Sequence, residues 1–297
     1  IVPNDYYLLY LNHMKFKESN STSQIGVEIT DVDISKPLRK DELNSIYDLW
    51  VKNAVAIFPN QKLTHDEYND FAMQFGSFGD EPFLTPMKSQ IHIVELRRKA
   101  TEEATHFGGS WHSDWSFQPS PPSATMLHSK IVPPLGGDTL FSNSALAYDE
   151  MSNEMKDKIY NLNGIHSAKL PYADNGFYAL ENKKRTMKIK SSKSANKQQI
   201  HPIVREHLNT KRKSLFINPV YTIGVEGMDN LEAFEFLSEL FEHMTQDKYI
   251  YRHHWDKDML IMWDNRSVMH MAEGGYDGYE RLMHRITIAG ETPIKSI

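Results

Sequence analysis

The chain has 297 residues, a formal net charge of -6 at neutral pH and no cysteine. The acidic balance provides no basic field for nucleic acid, and no apolar run approaches the roughly 18 residues that a membrane-spanning helix needs. Disulfides and thiolate metal sites are excluded, which leaves histidine, aspartate and glutamate as metal ligands. We expect one compact, cytoplasmic domain whose partners are small molecules.

The first third of the chain predicts helices around a buried strand. An apolar repeat at helical spacing comes first: Leu43, Ile46, Tyr47 and Trp50. The apolar run 54–58 then predicts a strand. Thr64 and Glu67 have the spacing of a capping box that opens a second helix, which Gly76 would end.

The middle and the end of the chain are predicted to be rich in strands. Residues 123–132 and 138–142 have strand character and are joined by a turn rich in proline and glycine, so Thr139 would lie on a strand. Residues 231–244 predict a helix with one apolar stripe: Leu231, Phe234, Leu237, Leu240 and Phe241. The apolar run 259–263 returns to strand character.

A basic segment interrupts the β-rich region. Residues 181–200 contain seven basic side chains and one acidic side chain, with many serines, asparagines and glutamines, so the segment is predicted to be a loop. We place an insertion at about 171–200. It is either a solvated surface insertion or a lid that closes over the site and attracts an anion.

Residues 1–13 are apolar but short, with no basic start and no small-residue cleavage site, so they do not predict a secretory signal. One expectation for this segment rests only on the family resemblance described below: Met14 would be the natural start, which makes residues 1–13 a non-native or disordered extension. The domain would then comprise residues 14–297.

Three residues form a candidate metal site. His112 and Asp114 are two positions apart, so on an extended segment both side chains project to one side. His270 is the candidate third ligand. Two neutral imidazoles and one carboxylate on one face of an octahedron leave three positions open, which is the donor set of non-heme Fe(II) oxygenases. A hydrolytic zinc site usually needs only one open position.

Two arginines follow His270 on a predicted strand. Arg281, Met283 and Arg285 have a period of two, so both guanidinium groups would face the same way. A planar guanidinium suits a carboxylate, a sulfonate or a sulfate. Either arginine could instead form a surface ion pair.

His112, Asp114, Arg281 and Arg285 lie within five blocks that occur in one order along the chain, and His270 lies between the last two: 111–114, 136–139, 201–205, 263–266 and 281–285. In this respect the chain resembles the taurine and 2,4-dichlorophenoxyacetate dioxygenase family of Fe(II)/2-oxoglutarate enzymes. The resemblance extends from Ile25 to Gly290. It implies a mainly β fold with flanking helices, a double-stranded β-helix or jelly roll.

The resemblance also implies a role for each site residue. His112, Asp114 and His270 would bind iron. Arg281 and Thr139 would hold the distal carboxylate of 2-oxoglutarate. Arg285 would grip an acidic group of the primary substrate, and Tyr221 would belong to an aromatic wall of the substrate site. The cofactors would be Fe(II) and 2-oxoglutarate, with O2 as co-substrate.

Two positions depart from the taurine enzymes. They have a histidine where this chain has Glu81, and an asparagine four residues before the first iron histidine, where this chain has Gly108. A carboxylate at position 81 would disfavour an anion and favour an amine or an alkylammonium. Glu81 is therefore a candidate substrate-binding residue, and a solvated loop carboxylate is the alternative.

The predicted function is hydroxylation of a small anionic substrate, with release of succinate and CO2 and with C–S or C–O cleavage as one outcome. A sulfonate and a carboxylate or ammonium-bearing acid both stay open as the substrate. A zinc hydrolase and a non-catalytic jelly-roll binding protein are the alternatives from other classes. The resemblance also implies a homo-oligomer, a dimer or a tetramer.

Overall fold

The computed structural model describes residues 14–181 and 185–295, mainly as β-strands with helices on the flanks. The predicted extension 1–13 lies outside these residues. The strands are β1 (Lys15–Glu18), β2 (Val27–Thr30), β3 (Val55–Phe58), β4 (Val94–Arg98), β5 (Ala124–Ile131), β6 (Thr139–Asn143), β7 (Asn163–Ser167), β8 (Gln198–Pro202), β9 (Val204–Glu206), β10 (Lys213–Leu215), β11 (Thr222–Val225), β12 (Ile250–His253), β13 (Leu260–Asp264), β14 (Val268–Ala272), β15 (Arg281–Ile288) and β16 (Ile294–Lys295). The α-helices are α1 (Lys40–Asn53), α2 (His65–Met73), α3 (Ser144–Asp149), α4 (Asn153–Ile159), α5 (Lys169–Tyr172), α6 (Phe177–Glu181) and α7 (Asn230–Met244). Short 3-10 helices lie at Lys193–Asn196 and Asp247–Tyr249.

The strands described form one large sheet and three small ones. The large sheet has seven strands in the order β1-β2-β3-β13-β5-β15-β4, and only the β2–β3 pair in it is parallel. The small sheets are β12-β6-β14, β11-β7-β8 and β10-β9-β16. Consecutive strands β5 and β6 therefore belong to different sheets, so the Pro- and Gly-rich connection between them crosses from one sheet to the other.

Helices α1 and α2 cover the outer face of the large sheet. Trp50 of α1 and Phe71 of α2 are buried in the same apolar cluster as Phe58, Met126 and Ile286 of the sheet. The opposite face of the sheet packs against the small sheet β12-β6-β14, where Phe141 joins Trp263 and Met283 in a second cluster. Strand β15 of the large sheet therefore faces β6 and β14 of the small sheet.

Most of the predicted elements are confirmed, with two corrections. The capping box is present, since Glu67 accepts from the Thr64 backbone N–H at 2.7 Å. Helix α2 ends at Met73, however, three residues before Gly76. The predicted stripe of α7 is wrong at its start, because Leu231 and Phe234 are 67% and 70% exposed. The buried face is formed by Ala233, Phe236, Leu237, Leu240 and Met244. At about 100° per residue, Leu231 lies nearly opposite this face.

None of the helices in the described part of the chain is both long enough and apolar enough to span a membrane.

Candidate metal and cofactor site

His112 and His270 are held side by side by a two-way backbone bridge. The His112 N–H donates to the His270 carbonyl at 3.0 Å, and the His270 N–H donates to the His112 carbonyl at 2.8 Å. His112 Nδ1 lies 2.8 Å from the Ser110 carbonyl. Because a carbonyl only accepts, Nδ1 carries the hydrogen and Nε2 keeps its lone pair for a metal. Burial lowers the pKa of both histidines, that of His270 to about 3, so both are neutral at pH 7.

Asp114 lies against both imidazoles. Its Oδ1 is 3.6 Å from His112 Nε2 and its Oδ2 is 3.8 Å from His270 Nε2. Two ligand atoms that are each about 2.1 Å from one ion are at most about 4.2 Å apart, so these spacings fit a shared metal. Burial raises the pKa of Asp114, but Arg285 and the two histidines outweigh it and bring the pKa to about 2. The structure therefore brings the three predicted ligands together in the protonation states that bind a metal.

A chain of hydrogen bonds that the sequence did not reveal orients Asp114. Thr125 Oγ1 donates to Asp114 Oδ2 at 2.6 Å, and Asn265 Nδ2 donates to Thr125 Oγ1 at 2.9 Å. Trp263 Nε1 in turn donates to Asn265 Oδ1 at 3.0 Å. Asn265 lies in one of the family blocks, whereas Thr125 lies in a predicted strand and belongs to no block. Only the pairing of β5 with β13 brings the two together.

An inner cavity of about 60 Å³ adjoins the three ligands. Its polar lining includes His112, His270, Thr139, Arg281 and Arg285. Thr139 comes from β6 and both arginines come from β15, so the cavity lies between the large sheet and the sheet β12-β6-β14. Both arginines face the cavity, which confirms the prediction that their side chains point the same way.

Arg281 is buried without a counter-ion. Among the described residues no carboxylate lies within 4.0 Å of its guanidinium. Its Nη2 donates to the Gly137 carbonyl at 3.2 Å, and its Nε has no hydrogen-bond partner. Burial lowers its pKa. An unpaired buried cation with a free donor is costly unless an anion joins it, so this position fits the carboxylate of a bound acid.

Thr139 lies on the same cavity wall. Trp255 Nε1 donates to Thr139 Oγ1 at 3.0 Å, so the oxygen is already engaged as an acceptor. The hydroxyl hydrogen can then be donated to an acceptor in the cavity. A carboxylate bound to Arg281 provides such an acceptor.

Unlike Arg281, Arg285 lies beside two carboxylates. Its Nε donates to Glu81 Oε1 at 3.1 Å, and its Nη2 lies 3.2 Å from Asp114 Oδ1. These two acidic neighbours raise its pKa against the effect of burial. The side chain of Glu81 is 10% exposed and its Oε2 accepts from Trp115 Nε1 at 2.9 Å. The alternative that Glu81 is a solvated loop carboxylate is therefore wrong. Burial raises the pKa of Glu81, and Arg285 opposes that rise.

An outer chamber of about 260 Å³ lies on the other side of His112. Its walls contain five aromatic residues: Phe107, Tyr172, Phe177, Tyr178 and Tyr221. The ring centroid of Tyr221 is 6.3 Å from that of His112, and its backbone N–H donates to Asn218 Oδ1 at 2.9 Å. Phe107, Gly108 and His112 line both cavities. Glu81 lines neither.

The predicted insertion contributes to both cavities. Pro171, Tyr172, Phe177 and Tyr178 line the outer chamber, and Arg185 and Met187 line the inner cavity. The prediction of a solvated loop is wrong for Arg185 and Met187, which are largely buried. Part of the segment also forms the start of β8. The prediction of a lid stays a prediction.

Two neutral imidazoles, one ionised carboxylate and an adjoining cavity with an unpaired guanidinium define a class of site. The donor set is that of non-heme Fe(II) oxygenases. The guanidinium fits an acidic co-substrate bound next to the metal.

Comparisons with known proteins agree with this class of site. Residues 17–287 match the family described as "Taurine catabolism dioxygenase TauD, TfdA family". The alpha-ketoglutarate-dependent 2,4-dichlorophenoxyacetate dioxygenase of Cupriavidus pinatubonensis is 33% identical over 260 residues, which cover 82% of this chain and 87% of that protein. The crystal structure of a taurine dioxygenase from Burkholderia xenovorans has a TM-score of 0.79 at 25% identity, covering 95% of this chain and 91% of that chain. The crystal structure of AAD-2 in complex with Mn(II) and N-oxalylglycine has a TM-score of 0.74 at 26% identity, covering 96% of this chain and 99% of that chain.

The chain belongs to the TauD/TfdA dioxygenase family, which confirms the resemblance. It is an alpha-ketoglutarate-dependent dioxygenase, and its cofactors are Fe(II) and 2-oxoglutarate.

Proposed function

We propose that this enzyme hydroxylates a C–H bond of a small organic substrate held in the outer chamber. One molecule of O2 and one of 2-oxoglutarate are consumed, and succinate, CO2 and the hydroxylated product are released. The observation that carries the proposal is the position of His112, which lines both the inner cavity and the outer chamber. A metal bound there would lie between an acidic co-substrate and an aromatic-lined substrate site.

Each site residue has a role in this proposal. His112, Asp114 and His270 would hold the metal, and Thr125 with Asn265 would keep the Asp114 carboxylate in position. Arg281 and Thr139 would hold the distal carboxylate of 2-oxoglutarate. Bound Fe(II) and 2-oxoglutarate supply oxidative decarboxylation coupled to insertion of one oxygen atom into the substrate. The protein orients both molecules and excludes water.

The outer chamber favours a substrate with an apolar or aromatic body. Aromatic rings dominate its lining, and Tyr172, Tyr178 and Tyr221 also offer hydroxyl groups. The relatives are named for 2,4-dichlorophenoxyacetate and taurine. If the hydroxylated carbon bears an ether oxygen or a sulfonate, the product collapses to a carbonyl compound and the C–O or C–S bond breaks.

The two sheets around the site support the finer prediction for the fold, a double-stranded β-helix or jelly roll. Homo-oligomerisation and a cytoplasmic location stay predictions. Light scattering would measure the oligomeric state. The alternatives of a zinc hydrolase and a non-catalytic binding protein gain no support from the comparisons.

The test is a succinate-release screen with Fe(II) and 2-oxoglutarate. Its candidates are sulfonates, sulfate esters, aryloxy acids and ammonium-bearing acids, together with neutral analogues of each. We expect at least one candidate to stimulate succinate formation in air and none to react without oxygen. Turnover of a substrate under anaerobic conditions would instead indicate a hydrolase.

A further inference from the structure

The counter-ions of Arg285 come from the protein itself. Arg285 is 4% exposed and lies between two carboxylates, that of Asp114 at 3.2 Å and that of Glu81 at 3.1 Å. Both oxygens of Glu81 accept hydrogen bonds, one from Arg285 and the other from Trp115. A carboxyl group whose two oxygens both face N–H donors is accommodated as the ionised carboxylate.

Trp115 holds this arrangement together from a strained backbone. Its φ is 47°, in the left-handed region that a bulky side chain rarely adopts. From there the indole N–H reaches Glu81 and the ring lies 5.1 Å from the Arg285 guanidinium carbon. Strain of this kind persists only where the surrounding contacts maintain it.

The segment that carries Glu81 is also fixed. The Gly79 N–H donates to the Thr287 carbonyl of β15 at 2.8 Å, and the Ala289 N–H donates to the Ser77 carbonyl at 2.8 Å. Glu81 is thus anchored to the strand that carries Arg285. These backbone hydrogen bonds hold Glu81 beside the arginine.

We propose that Glu81 determines substrate specificity by neutralising Arg285, so that the substrate presents a neutral acceptor to this arginine. Arg285 Nη2 faces Asp114 at 3.2 Å but makes no hydrogen bond, so it can donate to an ether, hydroxyl or carbonyl oxygen of the substrate. A sulfonate or carboxylate placed there would instead meet the Glu81 carboxylate, which already pairs with the guanidinium. Glu81 therefore acts through Arg285, as a positioning residue. It is not free to take an ammonium group either.

The test compares two probes with the same body and different charge, phenoxyacetate and phenoxyacetamide. Binding is measured by calorimetry on protein loaded with Mn(II) and N-oxalylglycine, so no turnover occurs. The wild type should bind the amide at least as tightly as the anion. Glu81→Gln keeps the shape and removes the charge, and should bind phenoxyacetate about tenfold or more tightly than the wild type does. Binding of the amide should change little.

Two control variants isolate the cause. The double variant Glu81→Gln/Arg285→Gln should lose the gain in anion binding, because no guanidinium remains. Glu235→Gln removes the same charge from an exposed position on α7 and should leave both affinities unchanged. A merely structural role for Glu81 would not change the preference between anion and amide in this pattern.

The proposal is overturned if the wild type prefers phenoxyacetate by about tenfold or more, or if Glu81→Gln shows no gain for the anion. The wild-type comparison decides alone if Glu81→Gln fails to fold. The inference rests on the proposed function in treating the outer chamber as the substrate site, with the substrate's acceptor extending past His112 into the inner cavity that Arg285 lines. Oxygen-dependent succinate formation tests that function separately, so the two failures are distinguishable.

Discussion

The two arginines of β15 are four residues apart and face the same cavity, yet their surroundings are opposite. Arg281 is buried against Trp255 and Tyr276 without a carboxylate within ion-pair distance among the described residues. Arg285 is buried between Asp114 and Glu81. The first position carries an unbalanced positive charge, and the second is balanced by the chain.

Under the proposed function, this difference would let one strand serve both the cofactor and the substrate. A cofactor that is always an acid needs an unpaired guanidinium, which Arg281 would supply. A substrate site can be tuned by the partner placed beside its arginine, and Glu81 supplies that partner. The three metal ligands with Arg281 and Thr139 would determine the reaction, whereas specificity would depend on Glu81 and on the aromatic residues of the outer chamber.

The largest expected effect comes from removing a metal ligand. His112→Ala, Asp114→Ala and His270→Ala should each abolish iron-dependent succinate formation, because two ligands leave a weak and misshapen site. Asp114→Ala also removes one of the two counter-ions of Arg285. Metal titration and a succinate assay measure the effect. His243→Ala, on α7 and outside both cavities, is the control, and near-normal turnover in a ligand variant would remove that residue from the site.

Acid should weaken the fold through two buried histidines. His253, beside Trp255, and His166, whose Nδ1 lies 3.0 Å from Ser116 Oγ, both have pKa values lowered to about 3 by burial. The unfolded chain binds these protons near pH 6.5, so their contribution to stability is complete above that pH and declines as the pH falls towards 3.

Between pH 7 and pH 5 each of these histidines should lower the free energy of unfolding by about 2 kcal/mol. Urea unfolding of the metal-free protein at the two pH values measures the change. Equal stability at pH 5 and pH 7 would show that these histidines are not held neutral in the folded protein.

A smaller effect is expected at Thr139, next to Arg281. Thr139→Val removes a hydroxyl donor to 2-oxoglutarate and leaves the Trp255 N–H without its acceptor. The loss of about 1 kcal/mol should weaken 2-oxoglutarate binding threefold to tenfold. Thr139→Ser keeps the hydroxyl and should bind nearly as the wild type does. Calorimetry on the Mn(II)-loaded protein compares the three, and an unchanged affinity in Thr139→Val would exclude a cofactor contact.

The sequence was sufficient to predict the parts of the site that depend on local periodicity. A period of two placed Arg281 and Arg285 on one face of a strand, and the H-x-D spacing placed His112 and Asp114 together. It could not predict the partner of Arg285, because Glu81 is 204 residues away and lies in a loop. The support of Asp114 by Thr125 and Asn265 likewise depends on the register of two strands that are distant in sequence.

The wrong prediction for the buried face of α7 has a different origin. Leu231, Phe234 and Leu237 are apolar and three residues apart, but each step of three falls about 60° short of a full turn, so Phe234 and Leu231 lie progressively farther from the buried face. Composition does not distinguish a buried stripe from one whose first residues are exposed. Only the packing of the helix against its neighbours determines which face is covered.

The most direct test of the division between the two arginines is calorimetric titration of 2-oxoglutarate into Mn(II)-loaded protein. Arg281→Gln should weaken binding about 10-fold to 150-fold, because it removes a charge-assisted interaction with a carboxylate. Glu81→Gln/Arg285→Gln removes a balanced pair and should stay within about threefold of the wild type. An equal loss of affinity in the two variants would contradict the account.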